Sequence, residues 1–156
     1  MVKRFGDKEY AATLSKKQIG TAVLFFNTDH EILIVKPDYR DEWLVPGGSS
    51  DNNESPLHCA IREVREEIGL DISDLELIGI QYAHKKEFFS DSIKFIFYGG
   101  VLTDKEISEI KLQVDELEGY QFVPPKRAIG LLSSSLQLSL QKCLDALKDG
   151  TVTYIE

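Results

Sequence analysis

The segment from Pro56 to Gly69 constrains this chain more than any other stretch of it. On a helix turning about 100° per residue, Leu57, Ala60, Ile61, Val64 and Ile68 share one face. Glu63, Glu66 and Glu67 fall on roughly the opposite one. Ser55 is a suitable N-cap, Pro56 sits in the first turn where no amide hydrogen is needed, and Gly69 supplies a stop. The spacing predicts a helix over 56–68 whose apolar side needs a core to cover it. Its polar side is badly arranged. Like charges three and four positions apart repel by about 0.2–0.5 kcal/mol per pair. These glutamates also stand in the last turns, where the helix dipole favours cations. Arg62 can pair with Glu66 one turn on, yet a single guanidinium does not neutralise three carboxylates. A hard divalent cation, Mg²⁺ or Mn²⁺, would, because it takes oxygen ligands and keeps positions for phosphate and water.

The rest of the chain supplies the core that such a helix requires. Ile19–Asn27 is dense in β-branched and aromatic residues, and Thr28-Asp29 gives turn chemistry before Ile32–Val35, so a hairpin is expected. Pro37 and the charged run 38–42 mark a loop, and Trp43–Gly48 is a short apolar stretch stopped by Pro46 and two glycines. Leu75–Ala83 and Ile93–Leu102 read as strands joined by the ionic loop 84–91. Residues 104–118 carry both helical and alternating signals; Tyr120–Val123 is a strand, 125–131 a short helix and 133–147 an amphipathic helix. Residues 1–17 read as a polar approach segment with a short strand. At 156 residues, with no repeat or linker, the chain is expected to be a single domain over 1–156 with its core at about 18–148.

Composition narrows the function. The 26 acidic and 18 basic residues leave a net charge of −8, a field that repels the backbone of a nucleic-acid polymer but says little about one small anion. No apolar run approaches the length of a membrane span and no signal-peptide pattern is visible, so no membrane partner is expected. Cys59 and Cys143 are too few for a disulfide framework and fit a reducing cytoplasm, which is the expected location.

Gly48, five positions, Glu54, seven positions, then Arg62-Glu63-Val64-Arg65-Glu66-Glu67-Ile68-Gly69-Leu70 meet every fixed position of the signature of the Nudix hydrolase (MutT-like) family. Seven specified residues at ordinary usage would coincide by chance about once in 10⁸–10⁹ starting points. The chain thus resembles that family, with Trp43–Gly48 similar to the short strand that precedes its signature. The resemblance implies an α/β/α sandwich with a mixed central sheet, covering about 18–148. It implies hydrolysis of a phosphoanhydride in a nucleoside diphosphate linked to another moiety, with Mg²⁺ or Mn²⁺ as cofactor and a small nucleotide as ligand.

By that likeness Glu63, Glu66 and Glu67 are the metal carboxylates, joined by the backbone carbonyl of Gly47. Arg62 orients the glutamates, Glu54 is the supporting loop carboxylate, and Gly48 and Gly69 serve backbone geometry. The general base in relatives comes from the helix or from a carboxylate in a later loop; among Asp115, Glu116 and Glu118 the favoured residue is Glu116. Lys36 and Arg40 flank the loop before the signature and are candidates to meet a substrate phosphate. Trp43, Phe88 and Phe89 are candidates to stack a base, with a core role as the alternative, whereas His30, His58 and His84 have no ligand spacing.

Substrate choice is left open. At the positions where relatives acting on ADP-sugars carry a proline, and those acting on diadenosine polyphosphates a tyrosine, this chain has Lys85-Lys86 and Lys86-Glu87-Phe88. A (deoxy)nucleoside triphosphate is the default, and ADP-ribose or a nucleotide sugar the rival. A Nudix domain that binds a ligand without turnover is the reading from another class. The complete Glu63, Glu66 and Glu67 set counts against it. A homodimer is compatible with all three.

Overall fold

The alternating apolar positions of the strands need cover on both faces, and they receive it. In the computed structural model of the chain, which describes residues 6–84 and 90–156, a six-stranded mixed sheet is enclosed by helices. The strands are β1 (Gln18–Phe26), β2 (Ile32–Pro37), β3 (Glu76–Ala83), β4 (Ser92–Val101), β5 (Leu117–Val123) and β6 (Thr153–Ile155), in the order β5-β2-β1-β4-β3-β6. Helices α1 (Lys8–Thr13), α2 (Pro56–Ile68), α3 (Asp104–Ser108), α4 (Pro125–Leu131) and α5 (Ser134–Asp149) complete the described elements. This is the expected α/β sandwich.

Two clusters divide the core by the period of two along each strand. Val23, Phe25, Leu33, Val35 and Phe97 face Ala60, Val64 and Ile68 of α2. Ala22, Leu24, Ile34, Ile78 and Ile96 face the other way, onto Ala128 of α4, Leu132 just after it, and Leu136, Leu140 and Cys143 of α5. Among the described residues no helix is long and apolar enough to cross a membrane.

The β1–β2 hairpin forms where its turn chemistry lies. Asn27 Oδ1 accepts the amides of Asp29 and Glu31, and His30 takes a left-handed φ of 60°. Beyond Phe26↔Ile32 the two strands part. Residues 44–49 enter the gap and take up the free backbone groups on either side. Leu44 and Val35 exchange N–H···O bonds of 2.9 and 2.8 Å, the Val23 amide donates to Pro46 O at 2.8 Å, and the Thr21 amide donates to Gly48 O at 2.8 Å. The short apolar stretch before the signature is therefore a ribbon inside the sheet.

Three differences from the sequence reading have plain causes. The first described segment carries helix α1 and not a strand. The ambiguous stretch 104–118 holds only five helical residues, closed by a Thr103–Glu106 capping box, and then turns into an early start of β5. Its strand-like part, around Lys111, pairs with a helix end: the amides of Lys111 and Gln113 donate to the carbonyls of Ile68 and Glu67. Finally, β6 lies past residue 148 and adds to the sheet parallel to β3, burying Ile155 completely.

Candidate active site

Helix α2 is held at both ends. Ser55 Oγ accepts the His58 amide at 3.2 Å, and Gly69, at φ 73°, donates its amide to Arg65 O. The pairing of residues 111–113 with the last carbonyls of α2 satisfies groups that a helix leaves open. The turn that follows carries Glu116, whose charge bears on both Glu63 and Glu67. Sequence spacing alone did not reveal how Glu116 reaches the helix.

Arg62 is the hub of the acidic face. Its Nε and Nη2 bind Glu54 Oε1 and Oε2 at 2.8 and 3.0 Å, a bidentate grip. Nη1 donates to Glu63 Oε1 and to Glu66 Oε2, both at 2.9 Å, and Nη2 also reaches Ser49 O at 3.1 Å. The Glu54 bond is the main reason that the Arg62 pKa is raised, and it holds the Glu54 carboxyl down at about 2. The same network ties the loop after Gly48 to the helix.

Glu67 lies outside that grip. It is only 8% exposed, and its Oε2 accepts the Gly47 amide at 2.9 Å. Burial pushes its carboxyl up to about 8, with the charges of Glu63, Glu116 and Glu66 adding to the rise and the Gly47 bond opposing it. Burial likewise raises Glu63, although Arg62 opposes the shift. Glu67 is thus a desolvated carboxyl among like charges with no ion pair among the described residues.

Hard oxygen donors on a rigid helix fit a divalent ion. Even so, among the described residues no three His, Cys, Asp or Glu side chains close on a common point. Arg62 draws Glu63 and Glu66 to itself, and the Gly47 amide holds Glu67.

The two glycines of the ribbon are required by what surrounds them. A Cβ on Gly48 would fall 2.5 Å from the Glu63 carboxyl carbon, and one on Gly47 would fall 2.2 Å from Thr21 O. Gly47 also has a φ of 147°, which L side chains rarely adopt. Gly69 passes close to Lys111, where a Cβ would stand 3.2 Å from that residue's own.

On the sheet face away from α2, a cleft of about 590 Å³ opens along the ribbon and β1. Gly20, Gly48, Arg40, Lys94 and Ser135 are among the residues lining it. Of the two basic residues singled out in the sequence, Arg40 lines this cleft. Lys36 does not: its amine donates to Arg40 O at 2.5 Å and Pro37 O at 3.0 Å and lies 3.8 Å from Glu118, so it shapes the loop that carries Arg40.

Trp43 is half-buried against the α4–α5 side of the core, while Phe88 and Phe89 lie outside the described residues. His84 is 3.4 Å from a Glu156 oxygen, away from the acidic face. Cys59 and Cys143 are fully buried, and burial raises both thiols, Cys143 to about 12. Sequence reasoning missed Lys94, although a lysine inside the apolar run Ile93–Phe97 of a central strand was a usable signal.

Comparison with known proteins agrees with this geometry. The NUDIX domain profile matches residues 16–145. The chain is 31% identical over 133 residues to the uncharacterized Nudix hydrolase YvcI of Bacillus subtilis (strain 168), covering 81% of each chain. Several other curated hydrolases it matches are much longer, and the chain spans 26% or less of their length. Among solved structures, a MutT protein from Methanosarcina mazei Go1 superposes with a TM-score of 0.68 at 21% identity, covering 88% of this chain and 99% of that one. The NUDIX domain of Shewanella oneidensis NrtR, solved with ADP ribose, gives 0.70 at 14% identity, covering 92% and 99%. An intact signature on a capped helix, the expected sandwich and a profile match over most of the chain lead to one conclusion: this protein belongs to the NUDIX domain family of hydrolases.

Proposed function

We propose that the chain hydrolyses a phosphoanhydride bond in a nucleoside diphosphate linked to another moiety, with Mg²⁺ or Mn²⁺ held by Glu63, Glu66, Glu67 and the backbone of Gly47. The observation that carries this reading is the buried Glu67 carboxylate, fixed by the Gly47 amide at 2.9 Å beside two further glutamates on one helix. When bound, the cation supplies charge neutralisation for phosphate oxygens and a more acidic water. Arg62 gathers Glu63 and Glu66 on one face while tying the Glu54 loop to the helix, and these carboxylates would turn from the guanidinium towards the ion on metal binding. Glu116, exposed and electrostatically coupled to Glu63 and Glu67, is the proton acceptor for the attacking water.

A (deoxy)nucleoside triphosphate remains the default substrate, with ADP-ribose and nucleotide sugars as rivals. The location we propose is the cytoplasm. The test is release of phosphate or pyrophosphate from a panel of nucleoside triphosphates, ADP-ribose and nucleotide sugars, with Mg²⁺, with Mn²⁺ and with chelator. Metal-dependent turnover of at least one member is expected. Binding without turnover across the whole panel would overturn the reading.

A further inference from the structure

The cleft has a floor of small residues and one long one. In β4, Lys94 lies between Gly20 of β1 and Gln81 of β3 in the sheet register. Gly20 has no side chain, and Ala22 and Ser92 have short ones, so the space above Lys94 stays open. Paired residues of neighbouring strands share a face, and Gln81 is occupied there: its Nε2 donates to Ser135 O at 3.2 Å.

The Lys94 amine has no such engagement and makes no ion pair among the described residues. A central strand is an unfavourable place for a lysine, since a half-buried ammonium gives up solvation that no ion pair returns. Burial lowers its pKa, and the nearby positive charge of Arg40 lowers it further. The Arg40 guanidinium stands 5.5 Å from the Tyr39 ring on the rim of the same cleft. Helix α5 begins at the cleft, and its N-cap Ser133 makes no side-chain cap bond. Among the described residues, Glu42 is the acid lining the cleft, against two cations. The lining is rich in hydroxyls, with Ser49, Ser92 and Ser135 among them, and its one aromatic among the described residues, Tyr39, is 67% exposed. These are poor walls for a flat apolar ring and good ones for a hydrated anion.

We propose that Lys94, supported by Arg40, binds an oxyanion on the part of the substrate that fills this cleft, so that the preferred substrate carries a phosphate ester or carboxylate remote from the bond that is cut. An anion there would supply the partner that Lys94 lacks and would separate the two like charges. A neutral sugar or base would leave both uncompensated. The site deepens the hydrolase reading, and its kinetic test rests on that reading.

The test uses matched compounds with one anion added. ADP-ribose is compared with its 2′-phosphate and its 1″-phosphate, which place the ester on either side of the anhydride, and UDP-glucose is compared with UDP-glucuronate for the carboxylate. The wild-type protein should favour at least one anionic member by about tenfold or more in kcat/KM, chiefly through KM. Lys94→Met, close to the original in shape, should bring that ratio to within about threefold, and Lys94→Arg should recover part of it.

Calorimetric binding of the same compounds, which needs no turnover, keeps the two readings apart. A preference in binding that Lys94→Met abolishes would sustain the site even if nothing is hydrolysed. Equal affinity for all members, or a preference that Lys94→Met leaves intact, would overturn it. A purely structural lysine would also lower the melting temperature when replaced by Met, whereas relief of a half-buried charge without an ion pair should raise it.

Discussion

The ribbon of Gly47 and Gly48 separates two surroundings of opposite charge. Towards α2, one guanidinium meets Glu54, Glu63 and Glu66, and Glu67 and Glu116 lie beyond its reach. Over the other sheet face, Lys94 and Arg40 share a cleft with Glu42. The acidic side is crowded, buried at Glu67 and organised by a hydrogen-bond network, whereas the basic side is open and its principal cation makes no ion pair among the described residues. A protein of net charge −8 that handles phosphates needs positive charge from somewhere. On the proposed readings it has two sources, one borrowed from solution as metal and one built into β4.

The largest effect should come from breaking the acidic side at its most buried point. Glu67→Gln should lower turnover of any substrate found by at least about 10²-fold, as loss of a preorganised electrostatic group does. Above pH 4.5 it should also raise the melting temperature of the metal-free protein, because a neutral amide needs no proton to enter the folded site. Wild-type rates in this variant would remove Glu67 from the metal set.

The wall itself separates the two sides next. Gly47→Ala should cost about 2–4 kcal/mol in chemical denaturation, since its Cβ meets backbone 2.2 Å away and its φ is strained for any side chain. Gly20→Ala, where the nearest atom would be 3.6 Å away, should change stability by less than about 1 kcal/mol. Equal costs at both positions would mean that the ribbon is not the tight element of the site.

Acidity divides the two carboxyl environments more finely. Glu67 is held at about 8 in the folded chain against an ordinary 4.5, so the folded state keeps a proton that the unfolded state releases between those values. Metal-free stability should therefore fall with rising pH across that window, at a limiting slope of about 1.4 kcal/mol per pH unit, and level off above it. Glu54, held at about 2, behaves in the opposite sense: its contribution is present above 4.5 and is lost as pH falls from 4.5 towards 2. Melting curves across both ranges should show the alkaline limb flattened in Glu67→Gln and the acid limb flattened in Glu54→Gln. Added Mg²⁺ should raise the wild-type melting temperature more at pH 8 than at pH 5. The smallest effect belongs to the basic side: Lys94→Met should stabilise by about 0.5–1 kcal/mol, read in the same melts.

The helix and its carboxylates were legible in the sequence because their information is local. Ser55, Pro56 and Gly69 mark the ends of α2, and the 3.6-residue period sorts Val64 from Glu63 without any tertiary contact. The profile match and the sandwich bear out the family resemblance and the fold drawn from that segment. What was not legible depends on distant partners. The inserted ribbon needs β1 and β2 to part beyond Phe26↔Ile32, the approach of residues 111–113 needs open carbonyls on α2, and β6 needs the free edge of β3. Lys36 and Arg40 looked alike in the sequence, yet loop geometry sent one to backbone carbonyls and the other to the cleft. Lys94 was passed over because a charge in an apolar strand reads as an exception until its neighbours are known.

The ribbon between β1 and β2 also acts as a ruler. Adjacent strands lie about 4.8 Å apart, and the ribbon is a single chain without side chains at Gly47 and Gly48. A molecule that touches both the carboxylates and the cleft has little more than the thickness of one peptide to cross.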